Sequence, residues 1–188
     1  MLPVAAQKAQ PPVSRETLKV KLPKAKEATL KNGLRVVVLE GYNQLPIFTM
    51  QMVVLSGGLS DPVDNRGVAS FTASLLREGT KTRTSLEIAE QIESLGATFN
   101  AHSDLSSFTT TVTSSGLKQN FDRVLDIFAD VVREPIFPAD EFEKYKTRMI
   151  SQLQLQRANP RFLAQERFSQ AIYEKNIRQG LWPRRLSR

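Results

Sequence analysis

The stretch Gly67–Thr80, which reads GVASFTASLLREGT, decides how the rest of this chain folds. Its apolar residues recur at the i, i+3, i+7 and i+8 spacing of one helical face, and they are Val68, Phe71, Leu75 and Leu76. The stretch therefore predicts a short amphipathic helix that begins near Arg66 and that Gly79 ends. The turn-forming residues 56–62, SGGLSDP, lead the chain into this helix.

Length and composition indicate one soluble globular domain. The chain has 188 residues, of which 40% are hydrophobic and 24% are charged, as is ordinary for such a domain. Cysteine is absent, so disulfides and thiolate metal sites are excluded. No apolar run reaches the roughly 20 residues of a membrane span. Much of the net charge of +7 lies at the two ends and forms no basic stripe among aromatic residues, so nucleic-acid binding is not expected.

Both ends of the chain differ from its middle. Residues 1–26 are rich in proline and lysine without periodicity, and they predict a flexible leader. The first residues, MLPVAAQ, resemble the small-residue end of a secretory signal peptide without its apolar core, so a signal-peptide remnant and a disordered tail both stay open. A remnant would indicate a periplasmic or secreted protein, and otherwise we expect a cytoplasmic one. Residues 27–175 are expected to form the domain, and 176–188 an atypical basic tail.

The strand signals predict one hairpin and three further strands. Asn32-Gly33 separates the β-rich runs 27–30 and 34–39, which is a strong hairpin signal. The apolar run 47–55 predicts a strand buried on both faces or near the centre of a sheet. The alternating, β-branched runs 97–102 and 107–113 predict two antiparallel strands.

Four further helices follow from capping and periodicity. Thr84-Ser85-Leu86-Glu87 is a capping-box pattern that opens a helix, and Gly96 is expected to end it. Apolar residues from Leu117 to Val132 keep a helical period until Pro135 breaks it. Asp140 is the candidate N-cap of a long helix through Leu155, and Asn159-Pro160 separates that helix from a last one over about 161–175. The order of elements indicates an α+β fold with a mostly antiparallel sheet packed against helices.

Several segments, in this order, resemble the N-terminal domain of the pitrilysin/insulinase-type zinc metallopeptidases, which carry the inverted zinc motif H-x-x-E-H. The resemblance covers about residues 28–175. Its pieces are TLKNGLRV at 29–36, SGGLSD at 56–61, GVA at 67–69, EGT at 78–80, IESLGA at 92–97, FNA at 99–101, and Pro135, Phe137, Phe142 and Lys146. The resemblance implies a metallopeptidase-like domain that is incomplete at its C-terminus.

The resemblance also implies that the zinc chemistry of the family is lost. Where the family has His, Glu and His, this chain has Ser70, Ala73 and Ser74. The third ligand of the family falls at Ser151 or Gln152, and its helper glutamate falls at Tyr145. Two histidines at i and i+4 can bind one zinc, and a glutamate between them can act as base. A hydroxyl is a poor zinc ligand and a methyl group cannot take a proton, so no zinc cofactor and no catalytic residue are expected.

Other candidate residues favour structural interpretations. His102 is the sole histidine and has no carboxylate at helical spacing, so we interpret it as a polar residue at a strand end. Glu78 and Glu87 are interpreted as helix-end and capping residues. No G-x-S-x-G elbow precedes Ser70 or Ser74, which argues against a serine nucleophile.

These observations predict a non-catalytic homologue that acts as a structural or peptide-binding partner. The expected partner is an active zinc-peptidase subunit or a second domain of the same fold, and a peptide substrate could add to the sheet edge. Two alternatives stay open. One is a truncated or frameshifted fragment of a larger two-domain protein, which would expose an apolar edge. The other is a divergent hydrolase with a different site.

Overall fold

The computed structural model describes residues 24–41, 45–169 and 171–172, and the chain divides into two compact units, Met1–Leu45 and Pro46–Arg188. The first unit contains the predicted hairpin, with strands β1 (Lys26–Thr29) and β2 (Arg35–Val38) paired antiparallel. Asn32 tightens its turn, because its side-chain oxygen accepts a hydrogen bond from the backbone N–H of Leu34 at 3.1 Å. Residues 1–23 of the expected leader and the whole expected tail lie outside the described residues.

The second unit contains a three-stranded antiparallel sheet. Its strands are β3 (Ile47–Val54), β4 (Thr98–Ser103) and β5 (Thr110–Leu117), in the order β3-β5-β4. The mostly antiparallel α+β fold is therefore confirmed.

The prediction that residues 47–55 are buried on both faces or lie near the sheet centre is wrong. In the described part of the chain, β5 is the central strand and β3 pairs with it alone. The residues of β3 that pack against the core are Phe48, Met50 and Met52. The alternate side chains are exposed, and Leu55 just beyond the strand is 87% exposed. Helices cover one face of this sheet, so only every second residue of the apolar run is covered.

The boundary between β5 and the next helix also differs from the prediction. The strand runs over Thr110–Leu117 instead of 107–113, and the helix begins at Phe121 instead of Leu117. Leu117 pairs with Ile47 in the ladder between β5 and β3. This long-range pairing overrides the helical period that Leu117 shares with the residues after it.

The described part of the second unit also contains five α-helices, α1 (Val68–Leu75), α2 (Ser85–Ser94), α3 (Phe121–Arg133), α4 (Ala139–Arg157) and α5 (Pro160–Ser169). The capping box of α2 is confirmed, since the Thr84 hydroxyl and the Glu87 carboxylate each accept a hydrogen bond from the other's backbone N–H. Gly96, with φ 58°, follows the C-cap of α2 as predicted. Asn159-Pro160 does separate α4 from α5, although residues 173–175 of the predicted last helix are outside the described range.

Two helix-end predictions are wrong. Pro138, and not Asp140, is the N-cap of α4, because the fixed extended backbone of proline suits the residue before a helix. Asp140 lies in the first turn, where its negative charge still favours the helix dipole. The first helix ends at Leu75, so Gly79 lies beyond its end, in an isolated bridge with Thr84. Val68 begins α1 and is half exposed, so it is not part of the core.

The core lies between one face of the sheet and helices α2 and α3. Its buried residues are Ile88, Ile92, Leu95, Phe99, Val112, Val124, Ile127, Phe128 and Val131. The rings of Phe99 and Phe128 meet with their centroids 5.7 Å apart, which adds a favourable tilted aromatic contact to the burial. Among the residues that the structure describes, no helix is both long and apolar enough to cross a membrane.

Candidate functional site

Helix α1 carries the predicted site, and a carboxylate holds its N-terminus in place. The two oxygens of Asp61 accept hydrogen bonds from the backbone N–H groups of Gly67 at 2.8 Å and Ala69 at 3.0 Å. These donors belong to the first turn of α1, where backbone N–H groups have no partner inside the helix. The negative charge also favours the positive end of the helix dipole.

Backbone hydrogen bonds connect the segment before α1 to the loop between β4 and β5. The N–H of Gly58 donates to the carbonyl oxygen of Asp104 at 3.2 Å, and the N–H of Leu59 donates to that of Ser107 at 3.0 Å. A Cβ atom on Gly58 would lie 2.4 Å from the Asp104 carbonyl oxygen. Glycine is therefore required at this position for the two backbones to approach.

The structure brings two of the six predicted site residues into direct contact. The hydroxyl of Tyr145, on α4, donates a hydrogen bond of 2.8 Å to the Ser74 hydroxyl oxygen on α1. Ser70 is half-buried on α1, and Ala73 is buried. Two residues that lie 71 positions apart in the sequence thus meet between α1 and α4.

This hydrogen bond belongs to a group of contacting side chains that we call the α1–α4 cluster. Its members are Phe71, Ser74, Phe142, Tyr145 and Arg148. The ring of Phe71 meets that of Tyr145 edge to face, with centroids 4.8 Å apart, and that of Phe142 at 6.0 Å. The guanidinium carbon of Arg148 lies 5.1 Å from the centre of the Tyr145 ring, within the range of a cation–π contact. Sequence reasoning missed this cluster, although the i, i+3, i+6 spacing on α4 was a signal for it.

The other two predicted positions do not join the cluster. Ser151 and Gln152 are exposed on α4. The Ser151 hydroxyl donates to the carbonyl oxygen of Thr147, one turn earlier in its own helix, at 3.0 Å. The assignment of Ser151 or Gln152 to the position of the family's third zinc ligand stays a prediction.

The donors of this region do not fit a zinc ion. Zinc in proteins is held by His, Cys, Asp or Glu, whereas α1 presents hydroxyls and a methyl group, and the Ser74 hydroxyl is already bonded to Tyr145. Within the described ranges, no three His, Cys, Asp or Glu side chains converge as a metal site would require. The side chain of His102 is 72% exposed, and its Nε2 lies 3.0 Å from a carboxylate oxygen of Asp104.

The edge of β4 is another feature of this region. In the described part of the protein, β4 pairs with β5 and with no second strand, so its other edge offers backbone donors and acceptors. The side chains of Thr98, Asn100 and His102 are exposed, whereas Phe99 and Ser103 are buried. The Ser103 hydroxyl has no hydrogen-bond partner.

A second feature, the loop that leads from α1 to α2, is held by an ionic network. Arg83 donates to Asp130 at 2.6 Å and to Asp126 at 2.7 Å, both on α3. The hydrogen bond to Asp130 raises the pKa of Arg83. Burial is the largest effect on the Asp130 carboxyl and raises its pKa, but hydrogen bonds from Thr80, Arg83 and Thr82 outweigh it, and the pKa is lowered.

An open groove of about 740 Å³ lies along this loop, between residues 78–89 and 136–141. Its charged side chains are already paired, since Arg83 binds α3 and Lys81 forms an ion pair with Glu134. Glu78 accepts a hydrogen bond from Ser85 at 2.8 Å. We therefore assign this groove a structural role.

Comparison with known proteins agrees with the fold. The family model described as insulinase (peptidase family M16) matches residues 36–181. An uncharacterized zinc protease of Rickettsia felis is 28% identical over 147 residues, covering 77% of this chain and 34% of that protein. The mitochondrial-processing peptidase subunit beta of Bos taurus is 25% identical over 133 residues, covering 71% of this chain and 26% of that protein.

A solved structure, the peptidase M16 inactive domain from Pseudomonas fluorescens, superposes with a TM-score of 0.71 at 28% identity, covering 78% of this chain and 35% of that one. This chain spans about a third of the length of that structure and of the Rickettsia relative. The family model extends over most of the chain and over every element from β2 to α5. This protein therefore belongs to the insulinase family, peptidase family M16, as the resemblance of its sequence had indicated.

Proposed function

We propose that this protein is a non-catalytic member of the insulinase family that binds extended peptides along β4 and works beside an active zinc peptidase. The observation that carries the proposal is the Ser74–Tyr145 hydrogen bond. The resemblance assigns Ser74 to a zinc-ligand position of the family and Tyr145 to the position of its helper glutamate, and in this chain both side chains are neutral hydroxyls. Neither group carries the charge or the basicity that would bind a metal ion and activate its water.

Two of the similar proteins support the absence of catalysis and the presence of a partner. The Pseudomonas fluorescens structure is described as an inactive domain, so the fold exists in a form without activity. The Bos taurus relative is named as a subunit, which supports association with a second chain. We propose the same for this protein, with a partner of the same family that carries an intact H-x-x-E-H motif.

The edge of β4 supports peptide binding. An added strand would find backbone groups on its open side, and main-chain hydrogen bonds would supply affinity with little dependence on sequence. The exposed side chains of Thr98 and Asn100 are polar and uncharged, so they would tolerate many peptide sequences. The structural role and the peptide-binding role would then be served by the same rigid sheet.

Binding by strand addition can be tested with a labelled unstructured peptide and the full chain, measured by fluorescence anisotropy. The matched control is the same peptide with N-methyl groups on alternate residues, which keeps the side chains but removes backbone donors. We expect the control to bind at least about tenfold more weakly, since each lost hydrogen bond costs about 1 kcal/mol. Equal binding of the two peptides, or no binding of either, would refute strand addition.

The absence of catalysis is tested separately. The full chain is incubated with a quenched fluorescent peptide and zinc, alone and with an active family member. We expect no cleavage by the chain alone. Cleavage by the chain alone that a chelator abolishes would overturn the proposal, whatever the result of the peptide-binding experiment.

A further inference from the structure

The hairpin turn between β1 and β2 places two groups side by side that can react with each other. Asn32 is the one asparagine of this chain that a glycine follows. The side-chain amide carbon of asparagine, Cγ, is an electrophile, and the backbone nitrogen of the next residue can close a five-membered ring on it. A Cβ atom on that next residue would hinder the attack, and Gly33 has none. The sequence therefore joins an electrophile to an unhindered nucleophile.

The turn holds both reacting groups in hydrogen bonds. Residues 31–33 form a three-residue loop, and the N–H of Leu30 donates to the carbonyl oxygen of Leu34 across its base at 2.9 Å. The N–H of Gly33 donates to the carbonyl oxygen of Leu30 at 2.9 Å, and Asn32 Oδ1 accepts from the N–H of Leu34 at 3.1 Å. Gly33 has a φ of 84°, which is typical of the last residue of such a loop. Both hydrogen bonds must open before the ring can close.

We propose that Asn32 is a site of spontaneous deamidation and that opening of the turn controls its rate. The Gly33 nitrogen loses its proton to water or hydroxide and forms a bond to Asn32 Cγ. The Cγ–Nδ2 bond then breaks, and Nδ2 leaves as ammonia. Water opens the resulting succinimide ring at either of its carbonyl carbons. One product is aspartate, and the other is isoaspartate, in which the main chain runs through Cβ and Cγ of the former side chain.

The two products affect the hairpin differently, although both add one negative charge. Aspartate at position 32 keeps an oxygen that can accept the hydrogen bond from the Leu34 N–H, so it preserves the turn. Isoaspartate adds one carbon atom to the main chain of the loop. The first pair of the β1–β2 ladder, Thr29 with Arg35, lies next to this loop. We therefore expect isoaspartate to weaken the pairing of the two strands.

The site is tested by incubating the full chain at mildly alkaline pH, digesting it with pepsin in acid and measuring deamidation by mass spectrometry. The internal controls are Asn65 and Asn100, which precede Arg66 and Ala101. We expect Asn32 to deamidate before either control, because only its neighbour lacks a Cβ atom. Earlier deamidation of Asn65 or Asn100 would overturn the proposed site.

Control by the turn is tested by repeating the incubation with the chain unfolded in guanidinium chloride at the same pH. We expect Asn32 to deamidate at least about tenfold faster there, because two hydrogen bonds no longer have to open. Equal rates in the folded and the unfolded chain would overturn control by the turn.

The structural effect of the isoaspartyl product is tested by hydrogen exchange. The isoaspartyl protein is separated from the unreacted chain and identified by methylation with protein isoaspartyl methyltransferase. Its matched control is Asn32→Asp, which carries the same added charge on an unaltered main chain. We expect amide exchange in residues 26–38 to be at least about fivefold faster in the isoaspartyl protein. Equal exchange in the two proteins would overturn the proposed effect on the hairpin. None of these results depends on whether the protein binds peptides.

Discussion

Replacing Asp130 with alanine should lower the free energy of unfolding by about 2–3 kcal/mol. Asp130 is 12% exposed and accepts hydrogen bonds from Thr80, Thr82 and Arg83 at 2.6–2.8 Å. Its loss leaves the Arg83 guanidinium, which is 20% exposed, without its buried partner. Breaking a fully buried ion pair costs about 3–5 kcal/mol, and the residual solvent contact of this pair reduces that figure.

Asp126 offers a matched control on the same helix. It binds the same guanidinium at a similar distance, 2.7 Å, but its side chain is 71% exposed. An exposed ion pair contributes about 0–1 kcal/mol, so Asp126→Ala should cost less than about 1 kcal/mol. The two variants therefore differ mainly in the burial of the carboxylate that is removed.

The measurement is urea unfolding followed by far-ultraviolet circular dichroism, with the slope of the transition checked for two-state behaviour. Asp130→Asn should fall between wild type and Asp130→Ala, because the amide oxygen can still accept one of the hydrogen bonds. If Asp130→Ala and Asp126→Ala destabilise equally, then burial does not set the strength of this network and the reasoning fails.

Three further predictions follow from the same contacts. Hydrogen bonds hold the pKa of the Asp130 carboxyl below its ordinary value of 3.8. The stability that Asp130 contributes is therefore complete above that value and is lost as pH falls through the lower pKa of the folded state. Below about pH 4 the free energy of unfolding should fall more for wild type than for Asp130→Asn, and an equal fall in the two proteins would contradict this. Gly58→Ala should lower the free energy of unfolding by at least about 2 kcal/mol, because a Cβ atom would lie 2.4 Å from the Asp104 carbonyl oxygen and overpacking costs about 1–3 kcal/mol. If the variant unfolds at the same urea concentration as wild type, the two backbones do not approach this closely. Asp61→Ala should lower the free energy of unfolding by about 1–2 kcal/mol, because it removes the hydrogen-bond acceptors at the N-terminus of α1. Asp61→Asn keeps one acceptor oxygen and should lower it less. Equal effects of the two variants would show that charge alone holds the helix end.

The contact between α1 and α4 is made by neutral side chains. In place of charged or metal-binding groups, the two helices share a hydroxyl pair and three aromatic rings. Such a contact is short-range and neutral, so it should be insensitive to chelators and to salt. In the described residues, β4 pairs with β5 and with no second strand.

Much of the fold was determined by the sequence alone, because the signals act over a few residues. The Asn32-Gly33 turn, the capping box at Thr84 and the break at Asn159-Pro160 each depend on backbone geometry and hydrogen bonds within one helical turn or less. That Ser70 and Ser74 stand at the zinc-ligand positions of the family stays a prediction from the sequence. The family followed from such local pieces in their order.

Tertiary structure alone decided which segments meet. The ladder that pairs Leu117 with Ile47 placed β5 at the centre of the sheet and shifted the start of α3, because backbone pairing between distant strands outweighs a local helical period. The Tyr145–Ser74 bond and the network around Asp130 join residues about 50 to 70 positions apart. No local rule predicts such contacts, since they depend on how the helices pack after each has formed, and this packing alone brings Tyr145 of α4 to Ser74 of α1.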